Sequence, residues 1–145
     1  MERINYYTSS PEAMKAMMAL ENATANLGLE KPLMELVKLR ASQINGCAFC
    51  VDMHANDARK AGESERRLMG VSVWRETPFF TPRERAALAW TEALTLLSQT
   101  HAPDEDYTAI SREFTPAEQV NLTLAIATIN AWNRFGVGFR SVPKA

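Results

Sequence analysis

Three helix starts are marked by proline directly after a hydroxyl residue, at Ser10-Pro11, Thr81-Pro82 and Thr115-Pro116, and no feature constrains the folding of this chain more. Proline at the first helical position sacrifices nothing, because the N–H it lacks would have no partner there, while the preceding hydroxyl can cap the free backbone N–H groups. At Thr81 and Thr115 the third residue onward is Glu84 and Glu118, which completes a reciprocal capping box. Helices opened this way must find their partners in other helices.

The remaining pattern agrees. Met14, Met17, Met18 and Ala19 give an amphipathic helix after Ser10 that should stop near Gly28. Leu33, Val37, Ala41 and Ile44 recur at three to four residues and predict a second helix from Pro32 to about Ile44, broken by Asn45-Gly46. A third is predicted from about Cys47 to Gly62, a short one from Ser64 through Met69, and a long one over 82–98. After a turn at His101-Ala102-Pro103-Asp104, Asp104 is the candidate cap of a helix through Tyr107 and Ile110. The last, 116 to about 135, is apolar around most of its circumference, a pattern of helices buried centrally or at a subunit interface. No window alternates like a strand. The expectation is an all-α fold of about six to seven helices; the two Thr-Pro-x-Glu starts share capping chemistry and are not a repeat.

At 145 residues, 46% of them hydrophobic, the chain is expected to form one domain over 1–145 with a core that needs no disulfide or metal staple. Sixteen Lys and Arg against 17 Asp and Glu leave a net charge of −1, scattered along the sequence. Nothing there resembles the concentrated basic surface that nucleic acid requires, nor a polybasic membrane patch. The opening residues lack the apolar core of a signal peptide, and no run reaches the length of a membrane span. A cytoplasmic location is expected.

Both cysteines fall within one tetrapeptide, Cys47-Ala48-Phe49-Cys50. On a helix they lie about 300° apart, one turn along the same face, near enough to bond if the first turn opens slightly. His54, four residues after Cys50 and seven after Cys47, joins that face. An imidazole can take a thiol's proton or, as imidazolium, stabilise the reactive thiolate. The free N–H groups of a helix start act in the same direction, so Cys47 gains most from the helix terminus and Cys50 from His54.

Blander readings stay open at this point. The pair could be inert core cysteines, or Cys47, Cys50 and His54 could be three ligands of a zinc site that lacks its usual fourth. Glu35 sits among Leu33, Met34, Leu36 and Val37; if the second helix folds back on the third, its carboxylate could orient His54 and carry protons. Trp90 and Trp132 could line a substrate passage, although tryptophans on apolar helices more often belong to the core.

At these residues the sequence resembles the AhpD-like alkyl hydroperoxidase group of the carboxymuconolactone decarboxylase superfamily. The likeness is densest from Leu33 to Gly62, where Glu35-Leu36-Val37-Lys38-Leu39-Arg40-Ala41-Ser42-Gln43-Ile44-Asn45-Gly46-Cys47-Ala48-Phe49-Cys50-Val51-Asp52-Met53-His54 resembles the group's signature throughout. It continues more loosely through the Thr81 helix and Asn130-Ala131-Trp132-Asn133-Arg134.

The resemblance implies a helical fold assembling as a homotrimer or homohexamer, and a thiol peroxidase or disulfide reductase activity needing neither metal nor haem. It implies Cys50 as the peroxidatic residue, Cys47 as the resolving one with which it forms the redox disulfide, and His54 and Glu35 as a proton relay. The expected partners are a small alkyl or organic hydroperoxide and a lipoamide- or thioredoxin-like dithiol. One departure stands out: the group's peroxidase type carries a second histidine immediately before the second cysteine, where this chain has Phe49. The decarboxylase branch lacks the Cys-x-x-Cys pair, which argues against lactone chemistry. A redox-sensing disulfide module and a non-redox enzyme of the superfamily remain the alternative expectations.

Overall fold

A computed structural model describes residues 1–144. Among them the elements are α1 (Tyr6–Ser9), α2 (Pro11–Ala25), α3 (Lys31–Asn45), α4 (Ala48–Lys60), α5 (Glu65–Gly70), a 3₁₀ turn (Val71–Glu76), α6 (Pro82–Thr95), α7 (Leu97–Thr100), α8 (Asp104–Glu113) and α9 (Pro116–Gly138). No strand occurs among the described residues, so the all-α expectation holds. The seven helices anticipated from pattern are all present; α1 and α7, four residues each, are additions too short to show a period.

Both capping boxes form. The Thr81 hydroxyl accepts from Glu84 N and the Glu84 carboxylate accepts from Thr81 N, and Thr115 and Glu118 repeat the exchange. The third hydroxyl-proline start differs: Ser10 makes no side-chain cap, and it also closes α1, sending its N–H to Tyr6 O. Asp104 does not cap its helix either. Pro103 occupies that position, and Asp104 joins Glu105 and Asp106 in the first turn, where carboxylates complement the positive end of the helix. α2 stops at Ala25, before Gly28, whereas Gly46 does end α3 in the left-handed conformation, at φ 66°. The long helix expected over 82–98 breaks at Leu96 into α6 and α7.

α3 is the axis of the molecule, packing against α4, α6 and α9. Leu36 and Val37 on it have no exposed surface, and two apolar clusters meet there. One joins α3, α6, α8 and α9 through Leu33, Val37, Trp90, Ile110 and Ile126. The other joins α3 and α6 to α4, α5 and the 3₁₀ turn through Leu36, Leu39, Ala58, Trp74 and Leu88. Fully burying each such aliphatic side chain contributes about 1.5–3 kcal/mol, which holds α3, α6 and α9 in place around the site. Trp90 belongs to this core, its indole N–H donating to Thr123 Oγ1.

Candidate active site around the cysteine pair

Gly46 turns the chain out of α3, and Cys47 follows as the N-cap of α4 in extended conformation, outside the helix proper. This is the opened first turn that the spacing calls for. Cys47 and Cys50 are joined as a disulfide with their Cα atoms 5.3 Å apart. Cys47 Sγ also accepts the Cys50 N–H at 3.3 Å, so the helix start donates to a sulfur where other helices use a capping oxygen.

The antiparallel return of α4 along α3 brings Glu35 to His54. Glu35 Oε2 accepts a hydrogen bond from His54 Nδ1 at 2.9 Å, and His54 is only 6% exposed. A hydrogen bond at Nδ1 fixes the ring and leaves Nε2 as its other working atom. The two residues are nineteen apart in sequence.

Cys50, His54 and Glu35 line a cavity of about 320 Å³ enclosed by α1, α2, α3, α4 and α9. Cys47, 1% exposed, is not part of its wall; the cavity reaches the disulfide through Cys50. Phe49 lines the same space, in the position where the resemblance expects a histidine, along with Trp132. Trp132 is therefore a cavity residue and Trp90 a core residue.

Three features of the site escaped the sequence reading. Gly136, on α9, packs directly onto the sulfurs: a Cβ there would lie 2.6 Å from Cys47 Sγ and 3.4 Å from Cys50 Sγ. Its signal was a glycine inside an otherwise apolar helix, which often marks a close approach. Tyr6 and Tyr7 come from an N-terminal segment with no visible periodicity, and they too line the cavity. Asn45 donates to both Asn130 Oδ1 and Asn133 Oδ1 at 2.9 Å, and Asn133 donates to Ser42 Oγ at 3.0 Å. This buried network ties the loop carrying Cys47 to α9, with its polar atoms paired as burial demands.

In this oxidised form the sulfurs are bonded to each other, and Cys47, Cys50 and His54 are not assembled as a three-ligand zinc set. Among the described residues, the ligand atoms that converge are those of Glu35, His54 and Asp57, all within 4.8 Å of one another. One imidazole and two carboxylates are one donor short of a closed structural zinc site.

No helix among the described residues is long and apolar enough to cross a membrane. Residues 11–93 match the model of the carboxymuconolactone decarboxylase family. The uncharacterized protein YdfG of Bacillus subtilis is 43% identical over 136 residues, spanning 94% of this chain and 92% of that one. An alkyl hydroperoxide reductase AhpD from Coxiella burnetii is 46% identical over 50 residues, which cover 34% of this chain but 28% of the Coxiella protein. The crystal structure of ATU0492 from Agrobacterium tumefaciens, a protein of unknown function proposed as an antioxidant defence protein AhpD, superposes with a TM-score of 0.97 at 51% identity over the full length of both chains. With a family model spanning more than half its length and a relative alike nearly end to end, this chain belongs to the carboxymuconolactone decarboxylase family.

Proposed function

We propose that this protein is a thiol-dependent reductase of organic hydroperoxides in antioxidant defence, working through Cys50 and Cys47 and recycled by a dithiol of the lipoamide or thioredoxin class. The observation that carries the reading is the division of the site: Cys50, His54 and Glu35 share one cavity, and Cys47 lies bonded behind it.

In the reduced enzyme the Cys50 thiolate attacks the outer oxygen of the hydroperoxide. The O–O bond breaks, its electron pair leaves on the inner oxygen, and His54, oriented by Glu35, supplies the proton that makes the product alcohol. Cys50 is left as a sulfenic acid. The Cys47 thiolate attacks that sulfur, the S–S bond forms, and hydroxide leaves to be protonated to water. An external dithiol then attacks Cys50, the sulfur on the cavity wall. Cys47 leaves as a thiolate facing the Cys50 N–H, and the second thiol of the donor releases Cys50 as the donor itself becomes a disulfide. The cycle needs no metal and no haem.

A homotrimer or homohexamer in the cytoplasm completes the proposal. Val120, Leu124 and Val137 leave apolar surface exposed on α9, the helix that also backs the cysteines. Sedimentation as a monomer would remove the oligomer.

The test is to reduce the protein, add one equivalent of an alkyl hydroperoxide, quench with an alkylating reagent over time and weigh the intact chain. Rapid loss of both thiols to an intramolecular disulfide is expected. Persistent free thiols would overturn the peroxidase.

A further inference from the structure

The family match covers residues 11–93 and so includes Glu35, Cys47, Cys50 and His54, but three walls of the cavity lie outside it: Tyr6, Tyr7 and Trp132. Part of the aromatic lining of the site is thus built by segments beyond the matched region. The N-terminal segment is tied down for this purpose. Arg3 N donates to Phe139 O at 2.9 Å and Arg3 Nη1 to Gly138 O at 3.0 Å, and Asn5 caps α1 through Tyr7 N and Thr8 N. Tyr6 packs on Phe135 and Phe139, with ring centroids 5.4 and 5.7 Å away. Tyr7 is thereby held near-parallel to Trp132, centroids 6.4 Å apart and planes 23° from each other, while half its surface stays exposed to the cavity and solvent.

The charges of the cavity favour one kind of molecule. Its wall holds three carboxylates, Glu21, Glu35 and Asp57, against one lysine, Lys38. Glu21 already accepts from Lys38 at 2.8 Å and from the Trp132 indole N–H at 3.1 Å, and His54, the other group of the wall that can carry positive charge, is held by Glu35 at 2.9 Å, so each cation of the wall is already engaged. Lys60 pairs with Asp57 at 3.5 Å from an exposed position outside the wall. Aromatic faces, Met18 and Met53 make up most of the rest, and a volume of about 320 Å³ is at the small end of ligand sites.

Resting on the peroxidase reading above, we propose that this cavity selects compact, uncharged aromatic hydroperoxides, with Tyr7 and Trp132 as specificity-determining residues, and discriminates against carboxylate-bearing hydroperoxides such as those of fatty acids. The aromatic ring lies against Tyr7 and Trp132, which places the hydroperoxide group toward Cys50. An anion entering the same space meets three carboxylates whose partners are already engaged with them, in a partly desolvated site.

Two measurements on the full chain test this separately from the chemistry. The first compares kcat/KM for cumene hydroperoxide, hydrogen peroxide and linoleic acid hydroperoxide in the wild type, Tyr7→Ala and Trp132→Ala. The cumene compound should be preferred over both others, and each substitution should reduce its advantage over hydrogen peroxide by about tenfold. The second follows, by NMR on the oxidised protein, binding of 2-phenyl-2-propanol and of its para-carboxylate analogue, which needs no turnover. The neutral alcohol should shift the Trp132 indole signal and bind at least about tenfold more tightly than the carboxylate. Turnover of all three hydroperoxides at similar efficiency, or equal binding of the two alcohols, would overturn the selectivity and leave the peroxidase intact. Absence of turnover with every hydroperoxide would instead remove the peroxidase, and the NMR comparison would still decide what the cavity accepts.

Discussion

Gly136 of α9 lies against Cys47 so closely that a single added carbon would come within 2.6 Å of Cys47 Sγ. The helix that backs the disulfide therefore has a gap in its side-chain surface where the sulfurs fit. Close packing of this kind makes the cysteine loop and α9 one rigid unit.

Gly136→Ala should destabilise the oxidised protein by about 1–3 kcal/mol through overpacking. Denaturant unfolding of the disulfide form checks this. Gly138→Ala is the control: a Cβ there meets nothing within 4 Å, so no loss is expected.

The two sulfurs should separate by role. Cys50→Ser should abolish hydroperoxide turnover, while Cys47→Ser should undergo one oxidation and stall as a sulfenic acid, heavier by one oxygen atom in an intact mass spectrum. Stalling of the Cys50→Ser protein in place of the Cys47→Ser one would reverse the assignment.

His54→Ala should lower the rate of Cys50 oxidation by about 10²–10⁴-fold, the range for a positioned proton-transfer group. Glu35→Gln should cost less, because the amide still hydrogen-bonds the ring at Nδ1 and loses only the charge. Both variants should keep the wild-type far-UV circular dichroism spectrum, and wild-type rates in both would remove the relay.

Acid should loosen the corner between α3, α6 and the 3₁₀ turn. Burial alone would raise the Glu92 carboxyl, but hydrogen bonds from Arg75, from Trp74 Nε1 at 2.9 Å and from Arg40 Nε at 2.8 Å outweigh it and hold the group below the ordinary carboxylate range. A carboxyl lowered by folding stabilises the protein above its unfolded pKa, near 4.3, and loses that contribution as pH falls through the folded value. Glu92→Gln should therefore be less stable than wild type at neutral pH by about 1–3 kcal/mol. The gap should close as unfolding is repeated at progressively lower pH below about 4.

How far the sequence could be read depends on the range of the interactions. Thr81 and Thr115 announce their helices because a capping box closes within four residues, and the structure contains both. Ser10 shares the hydroxyl-proline start but has Ala13 where the other two have glutamate, and its backbone N–H closes α1, which no local rule foresees. Cys50 and His54 were legible as one stripe because helical periodicity alone brings them together, whereas Cys47, expected on the same face, caps the helix from outside it and lies behind the cavity wall. Glu35 needed the resemblance, since its contact with His54 depends on how Gly46 turns α4 back along α3.

By itself the sequence determined the helical class, the long helices and the thiol–imidazole stripe, because capping, periodicity and the Cys-x-x-Cys spacing act over one or two turns. Tertiary structure alone decided which sulfur faces the cavity, the pairing of Glu35 with His54, the gap at Gly136 and the aromatic wall of Tyr6, Tyr7 and Trp132. Tyr7 and Trp132 are 125 positions apart in the chain, and only the docking of the α1 tyrosines on the aromatic residues of α9 brings their rings together. Contacts of that span have no local signature; they exist only once the core of α3, α6 and α9 has fixed where each helix lies.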